Sequence, residues 1–163
     1  MPVSPEDFRA ALSRWASGVA IVTAAASDRI HGMTVSAFTS VSLAPPLVLV
    51  CADKTSHTLE VIEAGGAFAV NILAAGQEAL SNRFASKKDE DRRFEGVRWR
   101  RGATGSPLLE GTVAALDCRV VAAHDAGDHV IYVGQVEAAE VRGGAPLLYH
   151  AGLYCGLASA AAR

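Results

Sequence analysis

His31-Gly-Met-Thr-Val-Ser-Ala-Phe-Thr-Ser-Val-Ser42, HGMTVSAFTSVS, splits into two unlike faces when read with the two-residue period of a strand. Met33, Val35, Ala37, Thr39 and Val41 form a side suited to a core. Thr34, Ser36, Ser40 and Ser42 put four hydroxyls on the other side, with Phe38 among them. A row of hydroxyls on a strand is either a solvated face that favours Ser and Thr or a donor surface for an anion. Pattern alone leaves both readings open.

Outward from this strand, the chain reads as short β segments with a few helices. Upstream, Ser4 can cap a helix that Pro5, Glu6 and Asp7 open. Phe8, Ala11, Leu12 and Trp15 give it one apolar stripe, and Gly18 ends it. Val19 to Ala24 read as a strand, and Ser27 to Arg29 as the turn into the quoted stretch. Downstream, Pro45-Pro46 precedes a strand, Leu47 to Ala52, expected to be fully buried. Ser56 can cap a helix from His57 to Ala64, closed by Gly65-Gly66. Ala67 to Leu73 reads as a buried strand interrupted by Asn71, and Gln77 to Phe84 as a helix. Lys87 to Glu95 carries four basic and four acidic residues, the mark of a solvated segment. Thr112 to Ala123 and His129 to Val141 are long β-patterned runs joined by a turn at His124 to Asp128. Leu147 to Leu157 supplies a last strand or two. Residues 1–163 have no linker or repeat, so a single, mainly β domain is expected, an antiparallel barrel or sandwich.

Composition narrows the function. Half of the 163 residues are hydrophobic and 20% are charged, which predicts apolar surface covered by a second subunit. A net charge of −2 gives no reason to expect nucleic acid or an anionic membrane as partner. No apolar run reaches membrane-spanning length, and the N-terminal residues lack a signal-peptide order, so a cytoplasmic address is expected. Cys51, Cys118 and Cys155 lie far apart in apolar runs, which reads as three buried free thiols. Cys51, at the end of a strand beside a polar turn, is the one with a possible role in a site.

Familiar catalytic devices are missing. There is no G-x-S-x-G elbow, no G-x-G-x-x-G turn, no phosphate-binding G-x-x-x-x-G-K-S/T loop and no H-E-x-x-H helix. His124, Asp125, Asp128 and His129 could hold a metal from one turn, but a solvated hairpin tip is the simpler reading, and no metal is expected. Lys54, Thr55, Ser56 and Thr58 follow the next strand, where an ammonium and several hydroxyls could join the row in holding a phosphate.

An ordered set of motifs resolves this choice. Ser17-Gly-Val-Ala-Ile-Val-Thr23, the quoted stretch, Pro45-Pro46-Leu-Val-Leu-Val50, Phe68-Ala-Val-Asn-Ile-Leu-Ala74, Phe84-Ala85, Gly127-Asp-His129 and Leu147-Leu-Tyr-His150 span about residues 8 to 155. Together they resemble the flavin reductase-like family, whose fold is the FMN-binding split barrel. The resemblance implies a homodimer of six-stranded antiparallel Greek-key barrels with peripheral helices. It implies FMN or FAD as flavin, NADH or NADPH as hydride donor, and a flavin-dependent monooxygenase as the consumer of reduced flavin. The flavin-binding strand would be the quoted one, with Thr34, Val35, Ser36, Ala37, Ser40, Val41 and Ser42 at the flavin. Lys54, Ser56 and His57 would close over its phosphate, and Cys51, Asn71, Ala74, Phe84 and Tyr154 would complete the pocket. His129 would approach the pyridine nucleotide. Hydride passes between cofactors in such an enzyme, so no catalytic side chain is expected. A reductase of another acceptor, such as ferric iron or a cobalt corrinoid, and a non-catalytic flavin carrier are the rival readings.

Overall fold

Ser4 opens the first helix as the sequence predicts, its hydroxyl accepting from the Asp7 N–H at 3.1 Å. The computed structural model describes residues 3–158, and α1 runs Pro5–Leu12. The short β1 (Ser17–Gly18) leads into β2 (Ala20–Ala26) and β3 (Arg29–Val35). Next come β4 (Phe38–Leu43), β5 (Pro46–Asp53), α2 (His57–Gly65) and β6 (Ala67–Ile72). After α3 (Glu78–Ala85) and a 3-10 turn at Glu90–Arg92 follow β7 (Trp99–Arg101) and β8 (Pro107–Leu109). The long β9 (Ala114–Ala126) and β10 (His129–Val141) precede the closing pair β11 (Leu148–His150) and β12 (Leu153–Cys155).

Seven strands pair antiparallel in the order β3-β2-β6-β9-β10-β5-β4. The two end strands are consecutive in the chain, separated only by Ser36 and Ala37. Three Cα steps reach about 11 Å at most, so the sheet must curl until its two edges face each other. The result is a barrel split between β3 and β4. The sheet counts seven strands, two of them supplied by the stretch 31–42 that read as one.

That break also overturns the continuous two-face reading. Met33 and Val35 are buried as expected, but beyond the bend Thr39 and Val41 are exposed. The barrel interior is filled by Val22, Met33, Val50, Phe68, Val70 and Tyr132, among others. A second cluster, including Ile21, Leu73, Phe84, Leu109 and Leu147, lies outside the first. β5 is not buried on both sides: Val48, Val50 and Ala52 face the core, while Leu47, Leu49 and Cys51 are half-buried on the other face. The β9–β10 turn is tighter than predicted, with Ala126 paired to His129 across Gly127 and Asp128. Gly134 marks a bulge where a Cβ would fall 2.5 Å from Phe68 Cζ, so glycine leaves the room that the Phe68 ring occupies.

Three further expectations change in the fold. Most of the charged run is exposed as expected, but Arg93 within it is 4% exposed and donates to the Gly32 carbonyl at 2.7 Å, so one residue anchors the segment to β3. Cys155 is exposed, because β12 lies on a small three-stranded sheet with β1 and β11 away from the core. The apolar stripe of α1 does not enter the core either: Phe8 and Leu12 are half exposed, and Trp15 beyond the helix is 76% exposed.

Candidate functional site

The bend between β3 and β4 shapes the site. Ser36 and Ala37 belong to neither strand ladder. The Phe38 N–H donates back to the Ser36 carbonyl at 3.0 Å, and the Cys51 N–H donates to the Ala37 carbonyl at 3.2 Å, so the crossover is tight and anchored. Two clefts meet there. The larger, about 620 Å³, is walled by Trp15, Phe38, Leu49 and Cys51 around Ser36 and Ala37. The smaller, about 320 Å³, runs between Thr34, Val35, Ser81, Asn82 and Tyr154. Ser36, Tyr149 and Gly152 border both, so they form one continuous depression.

Hydrogen bonds fix the smaller cleft. The Thr34 hydroxyl donates to the Ser81 carbonyl at 2.7 Å, tying β3 to α3. The Tyr154 hydroxyl donates to Asn82 Oδ1 at 2.7 Å and lies 2.9 Å from Ser81 Oγ, tying β12 to the same helical turn. Burial raises the Cys51 thiol above its ordinary range, so it faces the larger cleft as a neutral thiol rather than a nucleophile. A mainly apolar concavity with few polar groups and no activated nucleophile suits a large planar ligand that brings its own chemistry.

Of the residues singled out in the sequence, Thr34, Val35, Ser36, Ala37, Cys51 and Tyr154 come together at this depression. Ser40, Val41 and Ser42 do not line it, because the bend sends them along β4 at the other edge of the sheet. Asn71 is fully buried and not in the pocket. Its amide donates to the Ile21 carbonyl at 3.1 Å and to Thr23 Oγ1 at 3.0 Å, while its Oδ1 accepts from the Leu109 N–H at 2.7 Å. Phe84 is likewise a core side chain, edge-on to Phe94. Ala74 bridges to Pro146 and does not border the clefts.

Lys54 and His129 lie together where β5 ends and β10 begins, with His129 paired to Asp53 and Ile131 to the cleft residue Cys51. Lys54 pairs with Asp125, its N–H donates to the Asp128 carbonyl at 3.0 Å, and His129 Nδ1 lies 2.7 Å from Asp128 Oδ1. Ser56 is the cap of α2, accepting from the Thr58 N–H at 3.2 Å, and His57 faces Glu90 at 3.4 Å. Sequence reasoning missed Ser81, Asn82, Tyr149 and Trp15. Ser81 and Asn82 share a helix with the apolar Leu80 and Phe84, whose spacing drew attention to the core side of α3. Trp15 closed an apolar stripe that looked like core.

The flavin reductase-like domain family matches residues 12–158. The chain belongs to the flavin reductase-like family. An NADH-dependent flavin reductase of a Rhodococcus species is 46% identical over 155 residues, covering 93% of this chain and 86% of that protein. The flavin-dependent monooxygenase reductase subunit HsaB of Mycobacterium tuberculosis is 39% identical over 158 residues, covering 95% of this chain and 83% of the relative. Among solved structures, the NADH:FAD oxidoreductase SgcE6 of Streptomyces globisporus, in complex with NAD and FAD fragments, superposes with a TM-score of 0.90 at 35% identity. It covers 99% of both chains. In this flavin reductase fold, the depression at the β3–β4 bend joins an apolar wall to the motif His31–Ser42.

Proposed function

We propose that this flavin reductase-like protein oxidises NADH to reduce FMN or FAD, and that the reduced flavin serves a flavin-dependent monooxygenase component. The observation that carries this reading is the continuous depression at the β3–β4 bend in a chain whose relatives are named NADH-dependent flavin reductases and monooxygenase reductase subunits. Its two parts fall within the volume range of small-molecule sites, and their lining combines an apolar wall with a few convergent polar groups, which fits a flavin. Flavin supplies the redox chemistry, taking up hydride at its N5.

The chain's own residues hold and orient. Thr34, Val35, Ser36 and Ala37 present small side chains and backbone to the polar edge of the flavin ring. Trp15, Phe38 and Leu49 exclude water from its face. Cys51 and Tyr154 complete the pocket, with Ser81 and Asn82 holding the wall. His129, held at Nδ1 by Asp128, would present Nε2 to the pyridine nucleotide, and Lys54, paired with Asp125, would turn to a phosphate. Such positioning of two bound partners, rather than proton transfer, is what the protein contributes to hydride transfer.

A homodimer fits the surface: Phe8, Leu12, Trp15, Leu43 and Leu153 are exposed apolar side chains around α1, β4 and β12, and a second copy would cover them. No helix among the described residues is long and apolar enough to cross a membrane. A cytoplasmic setting, where NADH is plentiful, suits the reaction. The decisive experiment mixes the protein with NADH and excess free FMN or FAD and follows the nicotinamide absorbance. Rapid loss without a protein acceptor supports the proposal. Loss only with an added metal acceptor, or no loss, overturns it.

A further inference from the structure

His31, His57 and Glu90 converge behind the barrel, away from the depression. Their ligating atoms all lie within 4.8 Å of one another. His31 Nε2 is 3.5 Å from Glu90 Oε2, and His57 Nδ1 is 3.4 Å from the same oxygen. The three residues come from β3, the first turn of α2 and the 3-10 turn, so only the tertiary fold assembles them.

Two features of the cluster suit a cation. His31 is 4% exposed, yet its Nε2 has no hydrogen-bond partner, and the buried Glu90 Oε2 has none either. The other ring nitrogen of His31 is engaged by Thr58 Oγ1 at 2.7 Å. In the tautomer that donates Nδ1–H to that hydroxyl, Nε2 presents a lone pair to the Glu90 carboxylate, and a cation held between these two acceptors would satisfy both. Arg93 does not fill that place. It is 3.5 Å from Glu90 Oε2 and spends its two Nη groups on the Gly32 and Ser86 carbonyls, so it holds Glu90 from one side.

We propose that His31 Nε2, His57 Nδ1 and Glu90 Oε2 bind a divalent transition-metal ion, with zinc the best match. Zinc bonds of about 2.0–2.2 Å in tetrahedral geometry separate neighbouring donors by about 3.3–3.5 Å, as both Glu90 pairs are already separated. The remaining His–His edge closes by rotation of His57, which is largely exposed and gives the ion its route in. Thr58 is the outer partner that fixes the His31 tautomer, and Arg93 orients the carboxylate. Two imidazoles and one carboxylate leave a fourth position for water. The positive charge of Arg93 keeps affinity moderate, so the site takes up and releases metal rather than requiring it for folding. Bound metal would staple the 86–93 segment to α2 and β3.

Zinc chloride titrated into chelator-treated full-length protein, followed by calorimetry and thermal melting, tests this. One equivalent should bind and raise the melting temperature, and cobalt(II) should give the visible spectrum of a tetrahedral site. Glu90→Gln and His31→Gln should abolish both effects, and Thr58→Val should weaken binding roughly ten- to a hundredfold. His124→Ala, on the distant hairpin, should bind as the unaltered chain does. Circular dichroism shows whether each variant is folded. For a variant that is not, Thr58→Val and the cobalt spectrum of the unaltered protein carry the test. No stoichiometric binding, or binding that survives Glu90→Gln and His31→Gln, overturns the site.

Discussion

Tyr154 Oη donates to Asn82 Oδ1 at 2.7 Å, joining the second-last residue of β12 to the middle of α3 across 72 positions of sequence. The same hydroxyl lies 2.9 Å from Ser81 Oγ, while Thr34 reaches the Ser81 carbonyl from β3. One helical turn is thus held from two sides, and the smaller cleft is the gap between them. Tyr154→Phe keeps the ring and removes the hydroxyl. It should lower flavin affinity roughly two- to tenfold, the worth of one hydrogen bond, with little change in melting temperature. Flavin quenching titrations check this, and an unchanged dissociation constant would remove Tyr154 from the site.

Ser36 stands where the two clefts meet, outside both strand ladders. Ser36→Ala should weaken flavin binding by a similar factor while the denaturation midpoint stays put, because its side chain has no structural partner to lose. A stability loss without an affinity loss would contradict the placement of flavin at the bend.

Asn71 should behave in the opposite way. Asn71→Ala leaves the buried Leu109 N–H without its acceptor and the Ile21 carbonyl without a donor. Each unsatisfied buried group costs about 1–3 kcal/mol, so urea denaturation should show a loss of several kcal/mol. Flavin affinity of the folded fraction should be close to normal.

Phe8→Asp and Leu43→Asp place charge on exposed apolar side chains; Phe8 is 54% and Leu43 91% exposed. Either should shift a dimer toward monomer in sedimentation at micromolar concentration, with no loss of protomer stability. A dimer unchanged by both would move the interface elsewhere on the surface.

Burial, and after it the nearby Arg93 charge, lowers the His31 pKa below 6.5. Between that lowered value and 6.5 the unfolded chain binds more protons than the folded one, so stability rises with pH across this window and falls on acidification. Thermal midpoints of chelator-treated protein measured from pH 7 downward should fall less steeply in His31→Gln than in the unaltered chain. Parallel slopes would mean that His31 titrates as it does in the unfolded state.

Burial also pushes the Cys118 thiol up to about 12, while Cys155 is exposed. A thiol reagent at neutral pH should label Cys155 quickly in the native protein and Cys118 only after unfolding.

The sequence by itself determined most of the strands and the starts of the first two helices, although α1 stops at Leu12 rather than at Gly18. Ser4 and Ser56 cap the helices where hydroxyl and turn signals placed them, and Gly66 closes α2 in the left-handed conformation. Local chemistry suffices for such features, since caps and periodicity act within a turn or two. Part of the motif His31–Ser42, namely Thr34, Val35, Ser36 and Ala37, borders the candidate site. Its bend was invisible, because a two-residue crossover is imposed by closure of the barrel, not by any residue in it. For the same reason Ser40 and Ser42 seemed to continue a row that ends at Ser36. The resemblance placed Asn71 in the pocket, and only the fold shows that Ile21, Thr23 and Leu109 engage its side chain instead. Ser81, Asn82 and Tyr154 form one wall, and His31, His57 and Glu90 one cluster, across separations that pattern cannot bridge. Which distant side chains meet is set by how the sheet curls, and that is decided by packing of the whole core.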